Sequence, residues 1–311
     1  MGIWLEGKPL ADKIKEDVKQ QAAHFQETIG LVPGLVAVLV GDNKASQVYV
    51  RSKEKACQAL GLFSEVQAYP GNISQAFLVG KIGALNRRED VDGILVQLPL
   101  PAQIDSYAII CSLSPDKDVD GLHPFSLGSI LANKAGFRPC TPLGVVELLK
   151  EHKIPIEGMD VVVIGRSLLV GKPLAAMLTN ENGTVTVCHS KTRDLDKVCS
   201  RADILVAAMG KEAFVKPEFV RPGATVIDVG INSVSDPVRV KAYFGEDERR
   251  KQDLQSKGYT LVGDVHPAAF ERAGAMTHVP GGIGPLTIAM LMKNTLEAFK
   301  RRRGITASPS S

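Results

Sequence analysis

Three short, nearly uncharged runs constrain this chain more than anything else in it: LVAVLVG at residues 35–41, GILVQL at 93–98 and DVVVIG at 160–165. A strand with one wet face alternates apolar and polar side chains. A continuous run of Val, Ile and Leu is apolar toward both faces, so it belongs inside a sheet covered on both sides. Amphipathic stretches at 12–26, 46–60 and 74–86 read as helices between these runs, and 63–69 reads as a further strand. The pattern then repeats, with strands expected at 184–188, 203–207, 225–230 and 260–265. Such alternation predicts α/β architecture with parallel sheets and helices on both faces.

At about 150 residues per domain, 311 residues make two domains. The turn-rich segment Pro139-Cys140-Thr141-Pro142 separates them, ahead of a helix at 143–152. The polar stretch 245–258 reads as a surface loop or short helix. A last helix, about 285–302, follows Pro280-Gly281-Gly282 and has no strand after it, so the pattern leaves open which domain it packs on. Its basic end, residues 300–303, reads as solvated helix terminus before a short tail rich in small residues and Pro.

Composition narrows the function classes. A net charge of +3 is too small to argue for nucleic acid. Five cysteines are scattered with no C-x-x-C pair, which points to a reducing compartment and away from a zinc site, so no metal is expected. The N-terminus lacks the pattern of a signal peptide, and no uncharged apolar run reaches the 18 or so residues a membrane helix needs. A cytoplasmic enzyme without membrane partners is the expectation.

The run 160–165 leads into Gly165-Arg166-Ser167-Leu168-Leu169-Val170-Gly171 and then Lys172-Pro173, where a helix opens. A glycine-bearing turn between strand and helix lets backbone approach phosphate, and the helix N-terminus offers free N–H groups. The spacing departs from G-x-G-x-x-G, and an ordinary tight turn remains the alternative. NAD-binding units carry an Asp or Glu about 20 residues on, for the ribose 2′-hydroxyl. Here the second strand ends in Cys188-His189-Ser190-Lys191-Thr192-Arg193, with no acid before Asp194. Hydroxyls and cations there, with Arg166 nearby, favour NADP over NAD; the alternative is that Lys191 and Arg193 are solvated loop charges.

Three other features stand out. Tyr49 and Lys53 are four apart on an expected helix and share a face. Gln97 closes a very apolar strand, at the carboxyl end of a sheet where ligands bind in open α/β folds. Asp116-Lys117-Asp118-Val119-Asp120-Gly121 reads as a polar loop. Each has a plain structural reading: a packed ring beside a snorkelling amine, a strand end, a turn cluster.

Taken together, the chain resembles the bifunctional methylenetetrahydrofolate dehydrogenase/cyclohydrolase family over nearly its whole length. Six ordered segments carry the resemblance, at residues 49–55, 93–101, 116–124, 137–142, 165–173 and 280–287. The resemblance implies two α/β domains with a folate-binding cleft between them, the second Rossmann-like and binding NADP. It implies domain bounds of 1–143 plus 277–311 for the folate-binding catalytic domain and 144–276 for the nucleotide-binding domain. Tyr49 would stack on the pterin, Lys53 would be the acid/base group, Gln97 would hold and tune it, and Asp120 would bind the pterin's N–H groups. Pro280, Gly281 and Gly282 would line the substrate site. Gly165, Arg166, Ser167, Gly171, Ser190 and Ile231 would bind the cofactor. Tetrahydrofolate derivatives as substrates and a homodimer follow from the same resemblance.

Two departures from the family pattern fall on histidines: His266 follows Gly263-Asp264-Val265, and His278 precedes Val279-Pro280. Their plain reading is surface or satisfied loop histidines.

The residue types suit the two reactions. Hydride transfer needs the substrate carbon and the nicotinamide held about 3–3.5 Å apart, with no side-chain acid. Hydrolysis of the methenyl cation needs a base, which a neutral lysine supplies; Gln97 can bond the amine without adding the negative charge that favours ammonium. Three rival readings remain at this stage: a monofunctional dehydrogenase of the same fold, a two-domain NADP enzyme acting on an amino or hydroxy acid, and a non-catalytic nucleotide sensor.

Overall fold

The computed structural model describes residues 2–305; the small-residue tail beyond lies outside them. The elements begin with β1 (Ile3–Leu5), α1 (Gly7–Ile29), β2 (Gly34–Val40), α2 (Lys44–Ala59), β3 (Phe63–Tyr69), α3 (Gln75–Arg87), β4 (Gly93–Val96), α4 (Ser106–Cys111) and α5 (Pro124–Leu131). There follow α6 (Cys140–Glu151), β5 (Asp160–Ile164), α7 (Gly171–Asn180), β6 (Thr184–Cys188), α8 (Leu195–Cys199), β7 (Ile204–Ala207), β8 (Thr225–Asp228) and β9 (Asn232–Val234). The chain closes with α9 (Pro237–Phe244), α10 (Glu248–Lys257), β10 (Thr260–Val262), β11 (Ala275–Thr277) and α11 (Ile283–Arg302).

Contacts divide the chain into two compact units. One holds Ala11–Cys140 and the chain from Ile288 on; the other holds the residues up to Leu10 together with Thr141–Thr287. The α11 residues from Ile288 on therefore belong with the first unit. The first ten residues and residues 141–143 and 277–287 do not, although the expected bounds placed them there. Ile3 pairs with Ala275 and Leu5 with Thr277, so β1 is an edge strand on the second unit's sheet.

The first unit is built on a parallel sheet ordered β3-β2-β4. Every residue of β2 and β4 is buried, as uninterrupted apolar runs require. Alternate side chains serve opposite faces: Val36, Val38, Val40, Ile94 and Val96 meet Leu78, Ile82 and Leu85 of α3 in one core cluster. The mixed sequence of β3, with Glu65 and Gln67, fits its edge position. The basic end of α11 is solvated only in part: Arg301 is exposed, whereas its neighbours are half-buried or buried. Arg302 and Arg303 each place a nitrogen 2.6 Å from the fully buried carboxylate of Asp92, which also accepts from Gly34 N. Lys300 is buried as well and pairs with Glu297 and Gln21. A run of cations on a helix points in several directions, and here part of it turns to the start of β4.

The second unit carries a sheet ordered β1-β11-β8-β7-β5-β6, parallel throughout. Central β7 and β8 are wholly buried, while edge β6 is largely exposed. The strand expected at 260–265 is not part of this sheet. It is the three-residue β10, antiparallel to β9. The polar stretch 245–258 forms α10, capped by Asp247, whose side chain accepts from Arg250 N.

Candidate active site

On α2 the helical period sorts the side chains. Asn43 caps the N-terminus by accepting from Ser46 N at 3.0 Å. Val50 and Cys57, two turns apart, point into the core and are buried. Tyr49 and Lys53 lie on the neighbouring face, half-exposed and half-buried. From β4, the backbone of Gln97 continues the sheet by donating to Val38 O, and the side chain leaves at the strand's carboxyl end. Lys53 Nζ donates to Gln97 Oε1 at 3.0 Å, and Gln97 Nε2 donates to Leu98 O at 2.7 Å. The second bond fixes which end of the amide faces the lysine.

The segment expected as a polar loop is mostly buried. Lys117 and Asp118 are 3% and 1% exposed. Lys117 Nζ donates to Leu85 O and Arg88 O; burial, then the charge of Arg302, lowers its pKa to about 8. Asp118 accepts from Leu122 N, His123 N and Ser126 Oγ, which ties down the turn after it. Burial raises its carboxyl to about 6 against those three donors. Asp120, between these anchors, stays partly accessible and meets the buried thiol of Cys140. Burial first, then the charge of Asp120, holds that thiol well above its ordinary value, while Lys53 is near enough to oppose this. Thus Lys53, Gln97 and Asp120 are brought to one locality of the first unit. Cys140 was not read as a site residue; its position in the quoted 137–142 segment was the only signal.

In the second unit, Gly165 has φ +140°, and a Cβ there would run into Ala208 O. A Cβ on Gly171 would strike Gly165 O, so helix α7 packs directly on the turn. Ser167 Oγ accepts from Val170 N at 3.1 Å and so supports the start of α7. A cavity of about 270 Å³ opens here, lined by Gly165, Arg166, Ser167, His189 and Ser190, with Lys211 and Met209 on its far wall. Among the described residues no carboxylate lines it. Of the cations at issue, Arg166 lines it, whereas Lys191 and Arg193 are exposed and do not. Lys211 was missed; its signal is a position just past the end of β7. Gly171 and Ile231 do not line the cavity. Ile231 instead lies 3.6 Å from where a Gly284 Cβ would sit.

Asp264 and Asp228 explain why the 209–211 wall holds its shape. The buried Asp264 carboxylate accepts from Met209 N, Gly210 N and Lys211 N at 2.7–2.9 Å and from Asn232 Nδ2. Asp228 in turn accepts from Asp264 N and Val265 N. The glycine before Asp264 is required, because a Cβ on Gly263 would collide with Asp228 Oδ2.

The 280–282 turn is held by Gly282 N donating to His278 O and Gly7 N donating to Gly281 O. Arg250 of α10, 8% exposed, donates to Val279 O just before it. Pro280 lines a separate cavity with Trp4, His278, Phe244 and Arg250. Of the two departing histidines, His266 is satisfied: Nδ1 accepts from Ala268 N, and burial lowers its pKa. His278 is not, since its Nδ1 is buried without a hydrogen-bond partner among the described residues. The physical reason is the residue two along. His123, His189 and His266 each accept from the amide at that position, and Pro280 has none.

The two halves match two family models, the catalytic domain (residues 5–120) and the NAD(P)-binding domain (residues 139–303) of tetrahydrofolate dehydrogenase/cyclohydrolase. The chain belongs to the tetrahydrofolate dehydrogenase/cyclohydrolase family. Among curated relatives of the family, the Bifunctional protein FolD of Koribacter versatilis is 53% identical over 302 residues, covering 97% of this chain and 98% of that one. That of Solibacter usitatus is 49% identical over the same shares. The bifunctional FolD methylenetetrahydrofolate dehydrogenase/cyclohydrolase of Campylobacter jejuni superposes with a TM-score of 0.87 at 42% identity, covering 97% and 100% of the two chains. The Trypanosoma brucei enzyme, solved with NADP and an inhibitor, gives 0.88 at 38% identity over 97% and 98%.

Proposed function

We infer that this chain is a bifunctional one-carbon folate enzyme. It oxidises 5,10-methylenetetrahydrofolate to 5,10-methenyltetrahydrofolate with NADP, and hydrolyses that product to 10-formyltetrahydrofolate. The observation that carries the reading is the 3.0 Å bond from Lys53 Nζ to Gln97 Oε1, with Asp120 anchored nearby, in a chain whose family performs these reactions. Bound NADP would supply the acceptor for a hydride from the methylene carbon. Arg166, Ser167, Ser190 and Lys211 suit its 2′-phosphate, because cations and hydroxyls face a cavity free of carboxylates.

The chain's own work is binding and proton handling. Tyr49, with 42% of its surface exposed, offers a face for the pterin ring. Asp120 accepts from the pterin's amino and ring N–H groups. In the second step water adds to the cationic bridging carbon, one C–N bond of the ring opens and one proton leaves. Lys53 accepts that proton as the neutral amine, while Gln97 holds the nitrogen in place. On the family resemblance Pro280, Gly281 and Gly282 are assigned to the substrate and Ile231 to the cofactor, while Gly165 and Gly171 shape the nucleotide turn by close packing.

We assign folate binding to residues 11–140 with those from 288 on, and nucleotide binding to residues 141–287 with the first ten. Among the described residues no helix is long and apolar enough to cross a membrane. On family resemblance we propose a cytoplasmic homodimer, which light scattering of the purified chain tests. The activity is tested by following NADPH formation with methylenetetrahydrofolate and decay of methenyltetrahydrofolate absorbance. Both should proceed; failure of either removes the corresponding half of the reading.

A further inference from the structure

We propose that Asn294, midway along α11, is a positioning residue for the folate site, setting the place of Asp120 through the Val119 carbonyl and Cys140. The proposal rests on Asp120 as the pterin-binding carboxylate.

Asn294 is 5% exposed and stands among Met290, Leu291, Leu296 and Ala298, all buried. A buried amide among apolar side chains costs free energy unless both N–H groups find partners. Here they do, and the partners lie far away in sequence. Nδ2 donates to Val119 O at 2.8 Å and to Arg138 O at 3.1 Å. Val119 O belongs to the peptide group that leads into Asp120, so the first bond fixes that plane. Cys140 Sγ is 3.4 Å from Val119 O and 3.7 Å from Asn294 Nδ2, and its thiol meets the Asp120 side chain. One amide therefore gathers the carbonyl before Asp120, the carbonyl at 138 and the thiol against Asp120.

The other side of Asp120 is equally constrained. Gly121 has φ +70°, and a Cβ there would lie 2.5 Å from the Arg138 carbonyl carbon. Residues 119–121 thus lie along residues 138–140, with Asn294 the side chain that bonds both strips. Without its donors, the buried Val119 carbonyl is left with the weaker Cys140 thiol, the partly buried Arg138 carbonyl loses a partner, and the strip carrying Asp120 can move.

The test compares Asn294→Leu, with both donors lost, Asn294→Ser, with one shorter donor, and Asn294→Asp, with a donor only when protonated. The Michaelis constant for methylenetetrahydrofolate should rise about tenfold in Asn294→Leu, the order expected for the loss of one buried hydrogen bond. Asn294→Ser should fall between it and wild type. In both, kcat should change by less than about threefold, and the NADP constant should stay within about twofold, a split that general loosening of the fold would not give. In Asn294→Asp, the defect relative to wild type should shrink as pH falls and the acid regains a proton. Asp118, Asp120, Lys53 and Cys140 are the titratable groups facing this junction and are present in both proteins, so the ratio reads the carboxyl introduced at 294 together with its coupling to them. Should Asn294→Leu fail to fold, the Ser and Asp variants decide. Folate constants within about twofold of wild type in these variants, alongside a large rise in Asp120→Ala, overturn the proposal and leave the folate site standing. An unchanged folate constant in Asp120→Ala overturns the role of Asp120 and this proposal with it.

Discussion

At the scale of single residues, the chemistry concentrates on one amine and its amide partner. Replacing Lys53 with Met removes the base, so methenyl hydrolysis should fall by about 10²–10⁴-fold, the usual worth of a positioned proton acceptor. A methenyl decay assay reads this, and wild-type hydrolysis in the variant would end the assignment. Gln97→Glu sets a carboxylate against the same nitrogen at the 3.0 Å position and favours its charged form. Hydrolysis by that variant should fall well below wild type in the same assay. In the nucleotide unit, Arg166→Ala removes one cation from a cavity that keeps Lys211. The preference for NADP over NAD in kcat/KM should narrow and not vanish.

Among elements, two joints invite measurement. The end of α11 is locked to the start of β4 by Asp92 between Arg302 and Arg303. Asp92→Ala would remove the buried carboxylate shared by both guanidinium groups, leaving Arg302 with the exposed Glu89 and Gly34 N without this acceptor, and should cost about 3–5 kcal/mol, read as a lowered urea midpoint. The second joint ties Asp228 and Asp264 to the 209–211 wall of the nucleotide cavity. Gly263→Ala pushes a methyl group into Asp228 Oδ2. It should destabilise by about 1–3 kcal/mol and weaken NADP binding, measured by calorimetric titration. Neither joint was legible beforehand. A row of arginines has the composition of a solvated terminus, and nothing local says that Asp92, 210 positions earlier, lies beneath it. The opposite error befell residues 116–121, whose charged letters suggested a wet loop. Lys117 and Asp118 are buried there because backbone carbonyls and amides complete their hydrogen bonding.

For the whole molecule, stability should respond to ligand and to pH. Saturating NADP at about 100 times its dissociation constant adds about 2.7 kcal/mol to the folded state, so it should raise the melting temperature more than equal NAD. Asp118 contributes a pH dependence of definite sign. An unfolded aspartate titrates near 3.9, and in the fold this one titrates at about 6. Between those values the folded chain holds a proton that the unfolded chain has lost, so this contribution is full below about pH 4 and lost as pH rises through 6. The gap in unfolding free energy between wild type and Asp118→Asn should therefore be larger at pH 4.5 than at pH 7.5. A constant gap would contradict the burial effect. From residue order alone came the α/β class, the central strands and the spacing of Tyr49 from Lys53, because continuous apolar runs and helical periodicity are local properties. Tertiary structure alone decided that β1 and β11 complete a six-stranded sheet, that β10 leaves it, and that Cys140 and Asn294 stand behind Asp120. Three-residue strands and single buried amides carry too little local signal, and their partners lie beyond any local window: Val262 of β10 pairs with Asn232, Ile3 of β1 with Ala275, and Asn294 bonds Val119.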